Sequence, residues 1–329
     1  MQNRSRCGFV EAASRQKEGK DEMIISASRR TDIPACYGQW MMARLRAGEV
    51  LVPNPYNASR ISRVALSPGN VDCIVFWTKN AAPMLPLLDE LDALGYKYYF
   101  EYTVTGYGSA LEPGLPEKER TVDTFLRLSE RLGPEGVDWR FDPVLLTSSI
   151  TPAWQLERFG ALCCALHGAT RRCVFSFADP YPGIRPSIAP LEETQMRLLA
   201  KGFADIAGEY GLPLYTCAEA VELSEYGIRH AACIDSAKVE RIAGYPIRVE
   251  RDPGQRPACG CAASVDIGAY DSCLHGCAYC YANHGRAVDR QAALHDPDSP
   301  LLLGRVDPAV DVVREAPAPS YRTGQTSLF

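Results

Sequence analysis

The stretch MIISASRRTDIPACYGQWMMARLRAG, residues 23 to 48, predicts a strand followed directly by a helix. Apolar and β-branched residues dominate positions 23 to 28, which is typical of a buried strand. Asp32 can cap the helix that follows, Pro34 can open it and Gly48 can end it. A strand that leads straight into a helix is the unit from which parallel sheets are built.

The same alternation continues along the chain. Further strands are predicted at residues 72 to 78, 96 to 105, 137 to 146, 172 to 178 and 212 to 219. Helical spacing of apolar residues is seen in PMLPLLDELDALG, EKERTVDTFLRLSERLG, ITPAWQLERFGALCCALHG and LEETQMRLLAKGFADIAGEYG. Six or more strand and helix units in one chain predict an α/β fold with a parallel sheet, a full or partial TIM-like β/α barrel.

Polar residues stand where the predicted strands end. They are Arg29, Arg30, Asp32, Lys79, Thr103, Thr105, Arg140, Asp142, Asp179 and Glu219. In a β/α barrel these ends meet at the active-site mouth, so we predict catalytic or binding roles for them. The two arginines can bind a carboxylate or phosphate, the acids can hold hydroxyl groups or an amine, and Lys79 can pair with an anionic substrate or an acid. The alternative is that these residues mark where strands become solvated or form buried ion pairs.

Composition excludes several classes of protein. The chain is 46% hydrophobic and 23% charged, with a net charge of -5, which is ordinary for a globular protein and gives no reason for tight nonspecific binding to nucleic acid. No apolar run is long enough to cross a membrane, and the N-terminus lacks the apolar core of a secretory signal, so we predict a cytoplasmic protein. The predicted organisation is a disordered leader (1–22), the barrel (23–255), a cysteine-rich segment (256–295) and a Pro-rich tail (296–329).

Thirteen cysteines in a reducing compartment indicate metal binding or catalysis before disulfides. The segment CLHGCAYC places Cys273, Cys277 and Cys280 close together. A structural zinc site or a closed four-iron cluster requires four ligands. Three thiolates can instead hold three corners of a 4Fe-4S cluster and leave the fourth iron open to a small molecule.

A second set of four cysteines offers another site. Cys217 and Cys233 are isolated, whereas Cys259 and Cys261 form a Cys-x-Cys pair. Four thiolates can bind an auxiliary iron-sulfur cluster or zinc, and the alternative is that they are buried or free thiols. His230 and His275 are alternative ligands or local hydrogen-bonding groups. In apolar surroundings, we predict small buried core residues at Cys36, Cys73, Cys163, Cys164 and Cys173.

CLHGCAYC resembles the CxxxCxxC signature of radical S-adenosylmethionine enzymes, including the aromatic residue Tyr279 before the third cysteine. The resemblance implies that S-adenosylmethionine binds the open iron and that Tyr279 lies against its adenine. It also implies a one-electron reductant of the flavodoxin or ferredoxin type. The following Tyr281-Ala282-Asn283 is similar to the sequence in spore photoproduct lyase, so Tyr281 and Asn283 are further cofactor-binding candidates.

A longer run of motifs is similar to the family called domain of unknown function 1848. The run comprises SASRRTDIPA, VFWTKN, WRFDP, CAE, CID, QRPACGC and SVDIGAYDSCLHGCAYCYAN. The family is regarded as radical-S-adenosylmethionine-like, with the cluster motif placed after the barrel strands, an arrangement that looks permuted. The resemblance implies a class of enzyme and no substrate.

The last five residues, QTSLF, resemble the short peptide that binds the bacterial sliding clamp. That partner would suggest nucleic-acid repair or modification; the alternative is that Leu328 and Phe329 pack on the protein's own surface.

The leading hypothesis is a radical S-adenosylmethionine enzyme acting on a small molecule or another unknown substrate. The alternatives are a hydrolase or lyase barrel with structural zinc at the C-terminal cysteines, and an iron-sulfur electron carrier.

Overall fold

A computed structural model describes residues 21–179, 188–284, 287–317 and 320–322. Its strands are β1 (Asp21–Ala27), β2 (Glu49–Asn54), β3 (Asn57–Ala65), β4 (Val71–Thr78), β5 (Tyr98–Thr103), β6 (Val137–Val144), β7 (Cys173–Phe177), β8 (Leu214–Thr216), β9 (Arg229–His230), β10 (Ile247–Val249), β11 (Val265–Asp266), β12 (Val312–Glu315) and β13 (Ser320–Arg322). Its α-helices are α1 (Ile33–Cys36), α2 (Gly38–Ala47), α3 (Leu88–Ala93), α4 (Lys118–Leu132), α5 (Pro152–Ala165), α6 (Glu193–Glu209), α7 (Ser236–Ala243) and α8 (Ala287–Ala292).

The main sheet contains eight parallel strands, as the alternating pattern predicted. Its order is β10-β13-β1-β4-β5-β6-β7-β8-β9, and β11 pairs with the second half of β1. The strands β10 and β13 are antiparallel additions at one edge. Within the described residues no strand pairing joins β9 to β10 or β11, so a closed barrel is not shown. The N–H of Ala262 donates to the carbonyl of Ile234 at 2.9 Å and links the two edges locally.

The two faces of this sheet are covered differently. One face packs on the amphipathic helices: Phe125 of α4 stacks on Tyr102, and Phe159 of α5 stacks on Trp139. The other face carries the alternate residues, such as Val75 and Tyr99, and packs on α7 and on the segment that contains Cys259 and Cys261. Burial of alternate residues on opposite faces follows from the two-residue period of a strand.

Local departures from the predictions have clear causes. The helix predicted from Pro34 to Gly48 is divided at Tyr37, whose hydroxyl donates to the carbonyl of Ser272 at 2.5 Å. The hairpin formed by β2 and β3 was not predicted. Residues 1–20 of the predicted leader lie outside the described residues, but Asp21 and Glu22 already belong to β1, so the leader boundary at residue 22 was wrong.

The described part of the predicted tail is built into the fold. Leu301 and Leu302 are buried, β12 runs parallel to β3, and β13 adds to the main sheet beside β1. The segment QTSLF lies outside the described residues. A search of the described helices finds none with the length and apolar character to span a membrane.

Candidate functional site

A cavity of about 470 Å³ opens beyond the C-terminal ends of the parallel strands. This volume lies within the range of small-molecule sites, roughly 300–1,000 Å³. Most of the predicted strand-end residues line it: Arg29, Arg30, Asp32, Lys79, Thr103, Arg140, Asp142 and Asp179. Thr105 and Glu219 are not among the lining residues. The parallel strands therefore bring together side chains from β1, β4, β5, β6 and β7.

The cysteine loop, defined here as residues 273–280, forms one wall of the cavity. Cys273, Cys277 and Cys280 are half-buried, and all three line it. The segment that follows β5 holds the loop through two backbone bonds: the N–H of Ala278 donates to Leu111 O at 2.8 Å, and the N–H of Gly114 donates to His275 O at 2.9 Å. The three predicted ligands therefore line one cavity, and the backbone that carries them is held by bonds from outside the motif.

The aromatic residue of the motif is anchored by buried charges. Tyr279 lines the cavity and donates its hydroxyl to Glu112, and Lys79 Nζ lies 3.0 Å from the same hydroxyl oxygen. Glu112 also pairs with Lys79 at 3.2 Å and with Lys118. Burial alone would raise the pKa of Glu112, but the two lysines hold it at about 2. Glu112 is a site residue that the sequence analysis missed, because it belongs to no recognisable motif.

Asp32 joins three parts of the site. One carboxylate oxygen accepts the N–H of Ala35 at 2.9 Å and caps α1. The other oxygen accepts the N–H of Lys79 at 2.7 Å and lies 2.8 Å from His275 Nε2. Burial alone would lower the pKa of His275, but Asp32 raises it to about 9. These contacts occupy the carboxylate, so the structure places Asp32 in the support of the cavity wall.

Cys36 lies behind the cysteine loop and was not predicted to belong to the site. One donor atom from each of Cys36, Cys273 and His275 falls within 4.8 Å of the others, so this group could hold a metal ion. Cys36 is not among the residues that line the cavity. The prediction of buried core thiols is confirmed for Cys73, Cys163 and Cys173; it was wrong for Cys164, which is exposed, and Cys36 is only half-buried. No local signal could link Cys36 to a loop more than two hundred residues away.

The second cysteine set, Cys217, Cys233, Cys259 and Cys261, lines the same cavity. The Sγ atoms of Cys217 and Cys233 are 3.4 Å apart. Cys261 is within hydrogen-bonding reach of both Cys233 and Cys259. The structure therefore brings all four predicted thiols together.

Two arginines lie between the strands and the second cysteine set. Arg140 is buried in the middle of β6, where it pairs with Glu101 at 3.1 Å and with Asp142, and its Nη1 lies 2.8 Å from Cys233 Sγ. Burial alone would raise the pKa of Asp142, but Arg140 keeps it below its ordinary value. Arg29 lies beside Cys261, with its guanidinium 5.4 Å from the Trp77 ring.

Arg29 and Arg30 are positioned from β11. The backbone N–H of Arg29 donates to Asp266 Oδ2 at 2.8 Å, and Arg30 Nε lies 3.9 Å from the same carboxylate. Arg29 Nη2 is buried and has no hydrogen-bond partner within the described chain. Arg29 therefore has a buried donor left for a ligand in the cavity.

The remaining predicted residues have different settings. Tyr281 lines the cavity and donates its hydroxyl to Arg29 O at 2.6 Å. Asn283 donates to Cys273 O at 2.8 Å and supports the cysteine loop without lining the cavity. Glu219 accepts the N–H of Phe177 at 2.8 Å, and burial raises its pKa to about 7. His230 lies 3.1 Å from Thr216 Oγ1 and does not line the cavity.

Comparison with known proteins identifies the family. The sequence pattern described as domain of unknown function (DUF1848) matches residues 24–282. The chain belongs to the DUF1848 family. No curated protein matches it. A crystal structure from Bacteroides thetaiotaomicron, described provisionally as an alpha-L-fucosidase, is similar to 88% of this chain and 98% of its own, at 11% identity and a TM-score of 0.29. At that TM-score the similarity gives no information about the fold or function of this chain.

The sulfur and histidine donors of this DUF1848 chain fall into two arrangements, one compact and one more open. Among the described residues, Cys36, Cys273 and His275 are the group of three or more metal-binding side chains with all donor atoms within 4.8 Å. Such compactness suits a single ion. The sulfurs of Cys273, Cys277 and Cys280 do not all lie within 4.8 Å of one another. Burial raises the pKa of Cys277 to about 12, so metal binding would release its proton.

Proposed function

We propose that this DUF1848 protein is a radical S-adenosylmethionine enzyme that acts on a small molecule. The observation that carries the proposal is that three thiols of one CxxxCxxC loop line one cavity together with Arg29, Lys79 and the acids at the strand ends. A 4Fe-4S cluster bound there with one open iron would supply one-electron reduction of S-adenosylmethionine, which yields methionine and a 5′-deoxyadenosyl radical, the electron coming from a flavodoxin- or ferredoxin-type donor. Cys273, Cys277 and Cys280 would hold the cluster.

The chain's own residues would fix the loop and keep water from the reacting groups. Tyr279 packs in an apolar cluster with Tyr107, Leu145 and Ala178 and presents its surface to the cavity. Glu112 and Lys79 hold the tyrosine hydroxyl, so the ring keeps one orientation where the resemblance places adenine. The free nitrogen of Arg29 would bind a carboxylate of cofactor or substrate.

Anaerobic reconstitution with iron and sulfide, followed by reduction with dithionite, tests the proposal. The wild-type chain is expected to form 5′-deoxyadenosine from S-adenosylmethionine, and Cys277→Ala to form none. Cys163→Ala is the matched control, because Cys163 is a buried thiol on α5 outside the cavity. Nucleoside formation by Cys277→Ala, or none by a wild-type chain carrying its full iron content, would contradict the proposal.

A second candidate function is a metalloenzyme with a single zinc ion. The compact group of Cys36, Cys273 and His275 favours it, because two cysteines and one histidine with an open position form a known catalytic zinc site. The carboxylate of Asp32 on His275 Nε2 is also a common support for a metal-binding histidine. Cys36→Ala separates the candidates: it should remove zinc from a mononuclear site and leave the iron content of a cluster at the cysteine loop unchanged.

A further inference from the structure

The second cysteine set is assembled from three separate segments of chain. Cys217 follows β8, Cys233 follows β9, and the Cys259 and Cys261 pair precedes β11. All four residues line the cavity. A small molecule that enters the cavity therefore meets these thiols.

The four sulfurs of this set lie in a row. The Sγ atoms of Cys217 and Cys233 are 3.4 Å apart. Cys261 is within hydrogen-bonding reach of both Cys233 and Cys259. No three of these four sulfurs fall within 4.8 Å of one another. Each sulfur therefore contacts its neighbour in the row, whereas the two ends of the row lie apart.

Such a row differs from the arrangement of sulfurs around a metal. Four sulfurs on one tetrahedral zinc ion all lie about 3.8 Å from each other, given Zn–S bonds of about 2.3 Å. On a 4Fe-4S cluster each thiolate binds a different iron, so neighbouring sulfurs are not in contact. Successive contacts suit thiol–disulfide exchange, in which a thiolate attacks one sulfur of a disulfide and displaces the other.

The two cysteines at one end of the row are placed to form a disulfide. Cys217 and Cys233 follow β8 and β9, which pair as parallel neighbours. Both are free thiols in this structure. Because the S–S bond of a disulfide is about 2.05 Å long, their sulfurs need to approach by only about 1.4 Å to form one.

The cysteine at the other end of the row has the character of a nucleophile. The hydrogen bond with Cys261 lowers the pKa of Cys259 to about 7, although burial opposes this. Burial instead raises the pKa of Cys163 to about 12, and Cys163 does not line the cavity. The thiolate is the form of cysteine that attacks a disulfide, so Cys259 differs from a core thiol in both charge and access.

We propose that the second cysteine set is a redox-active thiol site that reduces a small disulfide bound in the cavity and leaves Cys217 and Cys233 joined as a disulfide. The site goes beyond the proposed function and does not depend on it, because no residue of the cysteine loop takes part.

The reaction is a series of exchanges along the row. The thiolate of Cys259 attacks the substrate disulfide, and the first substrate thiolate leaves and takes up a proton. Cys261 then displaces the second substrate thiol from Cys259, and two further exchanges move the S–S bond through Cys233 to Cys217. Each exchange breaks one S–S bond and forms one. In total, Cys217 and Cys233 lose two electrons and two protons, and the substrate disulfide gains them to give two thiols.

Thiol mapping of the reduced full-length chain tests the proposal. The probe is bis(2-hydroxyethyl) disulfide, added without air, with alkylation and peptide mass spectrometry as the readout. Wild type should form the Cys217–Cys233 disulfide, and dithiothreitol should reverse it. Cys259→Ala should form it at least tenfold more slowly, and Cys261→Ala should trap the hydroxyethyl adduct on Cys259. Cys164→Ala, at an exposed cysteine, is the control and should react at the wild-type rate.

The outcomes separate this site from the proposed function. The Cys217–Cys233 disulfide supports the thiol site whether or not the chain cleaves S-adenosylmethionine. Absence of that disulfide in folded wild type, an unchanged rate in Cys259→Ala, or about one zinc per chain shielding the four thiols from alkylation would overturn it. If Cys259→Ala fails to fold by circular dichroism, quenched wild-type samples decide: an adduct that appears first on Cys259 supports the proposal, and one that appears first on another member of the set overturns it.

Discussion

Gly114 lies directly against the backbone of His275 in the cysteine loop. Its N–H donates to His275 O at 2.9 Å, and a Cβ added to Gly114 would lie 2.8 Å from that oxygen and 2.7 Å from Leu274 O. Real Cβ atoms do not approach backbone so closely, so only glycine allows the segment after β5 to hold the loop. A residue outside the motif therefore sets the position of the candidate ligands.

Gly114→Ala is expected to displace the cysteine loop. We predict a loss of about 1–3 kcal/mol in the free energy of unfolding, because the added methyl group must push two backbone segments apart. Bound iron after reconstitution should fall as well. Urea unfolding and iron analysis measure the two effects. Gly108→Ala is the matched control, since a Cβ there meets nothing within 4 Å. Equal behaviour of the two variants would show that the close contact does not hold the loop.

Glu112→Gln tests the buried charges below Tyr279. The carboxylate of Glu112 is almost wholly buried between Lys79 and Lys118, and its pKa falls from the ordinary 4.5 to about 2. A lowered pKa means stability that is present above pH 4.5 and lost as the pH falls towards 2. We predict that Glu112→Gln lowers the free energy of unfolding by about 3 kcal/mol at pH 7.

The pH dependence provides the check. The difference in the free energy of unfolding between wild type and Glu112→Gln should shrink at pH 3. At that pH the carboxylate of Glu112 takes up a proton when the wild-type chain unfolds, which favours the unfolded state. Urea unfolding at both pH values measures it. The exposed Glu130 on α4 supplies the control, and Glu130→Gln should change stability by no more than about 0.5 kcal/mol. A difference that stays constant between pH 7 and pH 3 would contradict the assigned pKa.

Arg140→Met removes the buried cation of β6 and should lower the free energy of unfolding. Asp142 would lose its arginine partner and Glu101 would keep only Arg172 among the described residues, at 3.4 Å; deleting one member of a buried pair costs about 3–5 kcal/mol. Thermal or urea unfolding measures this. Arg171→Met is the control, because Arg171 is 63% exposed and its pair with Glu135 spans 3.8 Å. A small effect of Arg140→Met would indicate that the acids are neutral in the folded chain.

Arg29→Gln is expected to weaken the binding of S-adenosylmethionine or an anionic substrate. Arg29 Nη2 is buried with no partner among the described residues, and a hydrogen bond from a charged donor contributes about 1.5–3 kcal/mol. We predict an increase of about 10- to 100-fold in the Kd of S-adenosylmethionine, measured by equilibrium binding to the reconstituted chain. Iron content is measured alongside, because Arg29 also lies beside Cys261. An unchanged Kd would exclude Arg29 from the binding site.

The alternation of strands and helices was predictable because it depends on the spacing of apolar residues within each short segment. The five strands predicted after β1 all overlap observed strands, from β4 to β8. The division of a helix at Tyr37 was not predictable, because it accompanies a hydrogen bond to Ser272 from a distant segment. The pairing of β13 with β1 joins the two ends of the chain and likewise has no local signature.

The candidate site likewise has features that the sequence predicts and features that depend on the tertiary structure. The residue pattern by itself determined which side chains end the strands and that the cysteines fall into two sets, because burial period and ligand spacing are properties of neighbouring residues. Only the tertiary structure decided that both sets line one cavity, that Cys36 lies beside Cys273, and that Glu112 holds Tyr279. These contacts join residues far apart in the chain, and their geometry depends on how the whole sheet packs.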